Sequence, residues 1–222
     1  MQHFPAYLYY LNPLAEAICF LISLSIFFQA GAERYLKYFS GFLFINLLLD
    51  ADTSYTAFKG INNVFVNNIE SLLVVSFELY LLREIIAGKK AKRIFSYIFL
   101  VYPVVTILNI FFLQHISTFH TMTYSLGSLL IIAGCIYYFW ELFQQRTSVD
   151  LVRQPAFWIS SGLLFYYSVT FAQFGLVNFI NKMPSNVIQT LFTILVIINT
   201  CLYLSFTIAF LCRLKTHRST SM

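Results

Sequence analysis

Residues 64–113 decide the fold: VFVNNIESLLVVSFELYLLREIIAGKKAKRIFSYIFLVYPVVTILNIFFL. Two apolar runs flank one short connector that carries Lys89, Lys90, Lys92 and Arg93, and each run is long enough to cross the ~30 Å core of a bilayer as a helix. The whole chain is similar in composition, with 59% apolar and 10% charged residues, whereas globular domains carry roughly a quarter charged residues. We therefore predict an integral membrane protein.

Apolar runs of this kind recur seven times along the chain. Seven spans of roughly 20 residues use about 140 of the 222 residues and leave only short connectors. Backbone groups in hydrocarbon must be satisfied internally, and continuously apolar runs do not fit the alternating strands of a barrel. The predicted fold is all-α, a single seven-helix transmembrane bundle over residues 1–212 with a short basic cytoplasmic tail at 213–222. The predicted helices cover residues 7–30, 36–57, 64–86, 94–113, 119–140, 155–178 and 186–212.

Basic residues alternate between the two sides of this topology. Twelve of the 14 lysines and arginines fall in every second connector or in the tail, namely Arg34, Lys37, Arg83, Lys89, Lys90, Lys92, Arg93, Arg146, Arg153, Arg213, Lys215 and Arg218. Lys59 and Lys182 fall in the other connectors. Because basic flanks stay on the cytoplasmic side, we expect the N-terminus outside and the C-terminus inside, in a bacterial cytoplasmic (inner) membrane. The expected partners of the basic loops are anionic lipid headgroups of the bilayer, not nucleic acid.

Acidic residues inside the apolar runs are the strongest functional lead, because a charge in hydrocarbon costs several kcal/mol unless it is paired, hydrated or protonated. Four of them lie roughly 8 to 14 Å below the predicted outer surface, counted at ~1.5 Å per helical residue. They come from three consecutive helices, and neighbouring asparagines add amide groups. We interpret the set as a cavity, open to the outside, that binds a small ligand, cation or proton. Its predicted residues are Glu16, Asn46, Asp50, Asp52, Asn67 and Glu70.

Simpler interpretations stay open for several of these residues. Asp50 and Asp52 point about 200° apart on a helix, so one faces the bundle while the other meets a neighbouring helix or the water-filled mouth. Glu16 could serve only as a partner for asparagine side chains. Glu78 precedes Arg83 by about one and a half turns near the cytoplasmic end, which indicates a structural pair or a switch. We interpret His115 and His120, in the fourth connector, as surface histidines rather than metal ligands.

Signatures of catalysis are absent from the sequence. We find no nucleophile and base spacing, no nucleotide loop and no metal-ligand spacing, so we predict no catalytic residue, no metal site and no cofactor. A retinal protein would need a lysine midway along the last helix, and none occurs there before Lys215.

Three stretches resemble small, uncharacterised bacterial seven-helix membrane proteins, which are similar in layout to the seven-helix input modules of sensor kinases. These stretches are NNIE (67–70) with Glu78 and Tyr80, then FWI (157–159) with GLLFY (162–166), and finally Asn199 with LY (202–203) and AFLC (209–212). The resemblance implies a sensory or accessory module that a membrane or cytoplasmic signalling partner reads. About ten residues follow the last predicted helix, so we expect no kinase or cyclase output domain in this sequence. The first alternative is a small secondary transporter or channel that uses the same carboxylates, and the second is an intramembrane enzyme.

Overall fold

A computed structural model describes residues 6–29, 31–114, 117–144, 150–176 and 184–220. The regular elements in these ranges are all helices, with no strand among them, which confirms the predicted all-α class. His115, Arg146 and Lys182 lie outside the described residues. The described helices are α1 (Ala6–Phe27), α2 (Arg34–Phe58), α3 (Val64–Ile85), α4 (Lys89–Leu108), α5 (Thr121–Gln144), α6 (Pro155–Leu176) and α7 (Ser185–Thr220), with a π-helical segment at Asn109–Leu113 after α4 and a 3₁₀ turn at Leu151–Arg153.

The start of α4 differs from the prediction, because the helix begins at Lys89 rather than at residue 94. Glu141 of α5 explains the earlier start. Its Oε1 accepts the Gly88 N–H at 2.8 Å and its Oε2 accepts the Ala87 N–H at 3.0 Å. The Gly88 N–H belongs to the start of α4, where the first N–H groups have no partner within the helix, and a carboxylate there also complements the positive end of the helix dipole. The basic residues of the connector therefore belong to the first turns of α4.

The end of α7 also differs, since the helix continues to Thr220 instead of ending at residue 212. Arg213 anchors this extension. Its Nη2 donates to the Gly31 carbonyl at 2.7 Å, and its Nε lies 3.1 Å from Glu33 Oε2 in an ion pair. The first residues of the predicted tail are therefore helical and are tied to the connector between α1 and α2.

The chain divides into two compact units, and the boundary falls inside α2. Unit 1 comprises Met1–Leu47 and Val149–Met222, and unit 2 comprises Leu48–Ser148. In unit 1, α7 packs against α1 and α6, and the ring of Phe39 on α2 lies 4.8 Å from Phe206 and 5.3 Å from Phe210. In unit 2, α3 packs against α4 and α5 around fully buried Leu79, Leu82 and Ile131.

Glycines on α5 allow α3 and α4 to approach closely in unit 2. A methyl group at Gly127 would lie 2.6 Å from Val75 Cγ1 and 2.8 Å from Tyr102 Oη. A methyl group at Gly134, on the same face two turns later, would lie 2.7 Å from Phe95 Cζ. Membrane helices use small residues in this way, because close backbone approach increases van der Waals contact where water supplies no hydrophobic drive between helices.

Four helical stretches of the described chain are long and apolar enough to cross a membrane: Val64–Ile85, Lys89–Leu113, Thr121–Gln144 and Ser185–Leu214. Large apolar side chains on them also point outward, including Leu100 at 64% exposure and Phe112 at 76%. Soluble monomers rarely expose contiguous apolar surface on this scale, whereas lipid requires it. The number of spans, seven, and the orientation of the termini stay predictions.

Replacing Gly134 by alanine should destabilise unit 2 by about 1–3 kcal/mol, because the added methyl overlaps the Phe95 ring in a packed interface. Thermal unfolding of the purified protein in detergent micelles measures the loss. Gly41→Ala on α2 is the matched control, since Gly41 is exposed and nothing lies within 4 Å of its added Cβ. Equal unfolding midpoints for the two variants would contradict the close packing at Gly134.

Candidate functional site

The six residues of the predicted cavity belong to both units. Glu16 and Asn46 lie in unit 1, whereas Asp50, Asp52, Asn67 and Glu70 lie in unit 2. Each group has hydrogen-bond partners within its own unit. A single cavity formed by all six residues stays a prediction.

In unit 1, Asn46 joins three helices. Its Nδ2 donates to Glu16 Oε1 at 2.7 Å and lies 3.0 Å from Tyr203 Oη, so one amide bridges α2 to α1 and α7. Glu16 is fully buried, and Asn46 and Tyr203 are nearly so. This arrangement matches the simpler interpretation in which Glu16 is a partner for asparagine. A buried carboxyl with an amide donor stabilises the helix contact and needs no ligand for that role.

In unit 2, Asp50 and Glu70 form a carboxyl pair between α2 and α3. The Glu70 carboxyl group lies within electrostatic and hydrogen-bonding range of Asp50, and both side chains are half-buried. A carboxylate only accepts hydrogen bonds, so two carboxyl groups can share one only when a proton lies between them. The pair can therefore bind a proton, and without that proton it presents two negative charges that would attract a cation.

Polar contacts beside the pair connect the end of α2 to the start of α3. Asn63 Nδ2 donates to the Thr53 carbonyl at 3.1 Å, and Thr53 Oγ1 donates to the Asp50 carbonyl at 3.0 Å. Asn67 is half-buried, and its Nδ2 lies 3.4 Å from Asn63 Oδ1. Asp52 is exposed, as expected if only one of the two aspartates faces inward. The carboxyl pair thus lies close to a short, hydrogen-bonded connection between two helices.

The second predicted pair, Glu78 and Arg83, lies further along α3. Glu78 is buried, within electrostatic range of Cys135 on α5 and Tyr102 on α4. Arg83 forms an ion pair with Glu84, and its Nε donates to Ser96 Oγ on α4 at 2.9 Å. These contacts attach the end of α3 to the first turns of α4. A switch between Glu78 and Arg83 stays a prediction.

A buried polar cluster around His120 is a feature that the sequence interpretation missed. His120 is 0% exposed, so its interpretation as a surface histidine is wrong. Its ring nitrogens lie 2.7 Å from Ser71 Oγ and 2.9 Å from Thr123 Oγ1, and burial lowers the pKa of its imidazole below the ordinary value of 6.5. A sequence signal that points to such a cluster is the spacing of Asn68 and Ser71, which puts two polar side chains on one face of α3.

Within the described ranges, no group of three histidine, cysteine, aspartate or glutamate side chains is arranged to hold a metal ion. Comparison with known proteins adds no assignment: no family model, no curated protein and no solved structure matches the chain. Support for a function therefore comes from the carboxyl pair and the buried polar clusters themselves.

Replacing Asn46 by leucine should destabilise the protein by about 2–4 kcal/mol, because it removes the amide that donates to Glu16 and leaves a buried carboxyl group with one donor fewer. Unfolding in detergent measures the effect. Tyr203→Phe is the control, since it removes only one contact of the same amide and should cost about 1 kcal/mol. A smaller loss for Asn46→Leu than for Tyr203→Phe would show that Asn46 does not hold the cluster together.

Proposed function

We propose that this chain is a seven-span sensory or accessory protein of the bacterial cytoplasmic membrane, with its N-terminus outside. It takes up a proton or a small cation at the Asp50–Glu70 pair. The change in charge alters the packing of α2 against α3, and a membrane or cytoplasmic partner responds to that change.

The observation that carries this proposal is the approach of two half-buried carboxyl groups, Asp50 on α2 and Glu70 on α3, to within hydrogen-bonding range of each other. Like charges in a medium of low dielectric repel strongly, so losing the shared proton forces the side chains apart unless a cation takes its place. The pair joins two helices whose connection is itself held by Asn63 and Thr53. Occupancy of the pair is therefore coupled to the contact between α2 and α3, and a ligand that favours one packing shifts the population toward it.

Half-burial of both carboxyl groups supports exchange of the proton or cation with the surroundings. A carboxyl pair sealed in a core would hold its proton permanently and report nothing. Asp50 and Glu70 instead keep part of their surface accessible, so an ion can reach the pair while α2 and α3 stay folded.

Charge-neutral variants test the pair directly. In the parent protein, the unfolding midpoint in detergent should fall as the pH rises, because loss of the shared proton leaves two adjacent negative charges, and a bound cation should restore it. Asp50→Asn and Glu70→Gln should each flatten this response, because neither leaves two charges in contact. Asp52→Asn is the matched control, since Asp52 is exposed and its removal should leave the response unchanged. A parent response that survives in both pair variants would overturn the proposed site.

Flux measurements separate a sensor from a transporter. Proteoliposomes that contain the parent protein should show no more proton, sodium or potassium flux than liposomes that contain Asp50→Asn. Flux that depends on Asp50 would instead establish the alternative function, transport through the same carboxyl pair.

Labelling of single cysteines tests the proposed orientation. In a background with the four native cysteines replaced by serine, Lys59→Cys should react with a membrane-impermeant maleimide on intact cells, because its connector is proposed to face outward. Lys90→Cys should react only after the membrane is permeabilised. Labelling of both positions from the same side would contradict the alternating topology.

A further inference from the structure

A chain of hydrogen bonds runs through His120 and connects three helical elements of unit 2. Asn109, at the start of the π-helical segment, donates from Nδ2 to Thr123 Oγ1 on α5 at 3.2 Å. Thr123 Oγ1 lies 2.9 Å from His120 Nδ1, and His120 Nε2 lies 2.7 Å from Ser71 Oγ on α3. Ser71 Oγ in turn donates to the Asn67 carbonyl at 2.7 Å.

We assign the direction of these hydrogen bonds from the Ser71 hydroxyl, which lies 2.7 Å from the Asn67 carbonyl. With its proton directed at that carbonyl, Ser71 Oγ accepts from His120, and the imidazole then carries its proton on Nε2. Nδ1 of a neutral ring is then an acceptor, and the Thr123 hydroxyl donates to it. Thr123 Oγ1 still has a lone pair for the amide of Asn109. Each group in the chain therefore uses its donors and acceptors consistently.

Neutral groups surround the imidazole on each side that the described contacts define. Asn68 of α3 holds the backbone beside the ring, since its Oδ1 accepts the backbone N–H of His120 at 3.2 Å and its Nδ2 donates to the Thr118 carbonyl at 3.0 Å. The Phe119 ring stacks on the imidazole, with the two centroids 5.0 Å apart. The titratable groups nearby are phenols: Tyr102 of α4, which donates to the Thr123 carbonyl at 3.3 Å, and Tyr124 of α5, which contacts Phe119. A positive charge on His120 would meet no carboxylate among these contacts.

We propose that His120 is a second proton-binding site, separate from the carboxyl pair, and that proton binding reverses its hydrogen bond with Thr123. A proton from water adds to the Nδ1 lone pair, and the ring becomes a donor at both nitrogens. The Thr123 hydroxyl can no longer donate to Nδ1, so it turns to its other acceptor, the His120 carbonyl at 3.3 Å, and accepts from Nδ1–H. The site thus has two settings.

The charged setting loosens the junction of α3, α5 and the π-helical segment. A buried cation without a counter-charge is costly, and admitting water lowers that cost. Asn109 transmits the change, because the same amide that contacts Thr123 also donates to Gln114 Oε1 at 2.8 Å, beyond the end of the π-helical segment. Burial lowers the pKa of His120, so the neutral setting is stable at and above the ordinary value of 6.5, and stability is lost as the pH falls below it.

Nitrogen-15 NMR of histidine-labelled, full-length protein in micelles tests the assignment without a destabilising variant. The signal of His120 is identified by its loss in His120→Gln. At pH 7.5 the ring should be neutral with its proton on Nε2, and it should titrate with a midpoint below 6.5. A neutral ring with its proton on Nδ1, or a midpoint at or above 6.5, would overturn the proposal.

Variants of Thr123 test the reversal itself. Thr123→Val removes a neutral bond from the uncharged ring and a stronger, charge-assisted bond from the charged ring, so the titration midpoint should move further down. Thr123→Ser keeps the hydroxyl and should keep the parent midpoint. Thr121→Val is the matched control, because its hydroxyl accepts from Gln114 and does not contact the ring. A midpoint for Thr123→Val that equals or exceeds the parent value would contradict the reversal.

Hydrogen exchange, corrected for its intrinsic pH dependence, measures the loosening. Amides of residues 117–124 should lose protection in the parent protein as the pH falls through the His120 midpoint, and His120→Gln should keep its protection over the same range. An equal loss in both proteins would show that His120 does not control the junction. Both the NMR midpoint and the loss of exchange protection should be the same in Asp50→Asn as in the parent protein, because neither depends on the carboxyl pair.

Discussion

A polar group that leaves water for an apolar helix bundle must find its partner within the protein, and this constraint organises both units. In unit 1, α1 makes hydrogen bonds at three levels of one helical stripe: Asn12 with Thr200, Glu16 with Asn46, and Ser23, through its carbonyl, with Ser40. Apolar packing alone lets helices slide past one another, whereas a hydrogen bond has a defined partner. These contacts therefore set the register of α1 against α2 and α7.

The same constraint divides the polar residues of α3 between two faces. Glu70 contacts Asp50 on α2, whereas Asn68 and Ser71 contact His120 and the segment before α5. Residues 68 and 71 lie about 60° apart around a helix, and residue 70 lies about 100° or more from each. Polar residues that are adjacent in sequence thus serve two different neighbours. One face joins α3 to the carboxyl group of Asp50, and the other joins it to a histidine.

Local pattern predicts the helices well and their side-chain partners poorly. The apolar run at 64–86 predicts α3 to within a residue, because the span is determined by its own composition. The start of α4 depends on Glu141, and the end of α7 depends on Arg213. Both residues bind partners that lie far away along the chain. Equal depth on consecutive helices predicts one cavity shared by at least three of the carboxyl groups, which stays a prediction. In unit 2, Glu70 lies within hydrogen-bonding range of Asp50. The burial of His120 depends on α3 side chains about 50 residues earlier, which no local pattern contains.

Close packing is what brings the His120 cluster together. Gly127 lets Tyr102 of α4 approach α5, and the Tyr102 phenol then reaches the Thr123 carbonyl. Beyond that contact, α4 changes to a π-helix, in which the Gln114 N–H bonds to the Asn109 carbonyl at 2.9 Å instead of to a residue one position nearer. Asn109 is the first residue of this wider turn, and its side chain reaches Thr123. A larger residue at position 127 would separate the helices and expose the histidine, so the hydrogen-bond chain depends on the glycine.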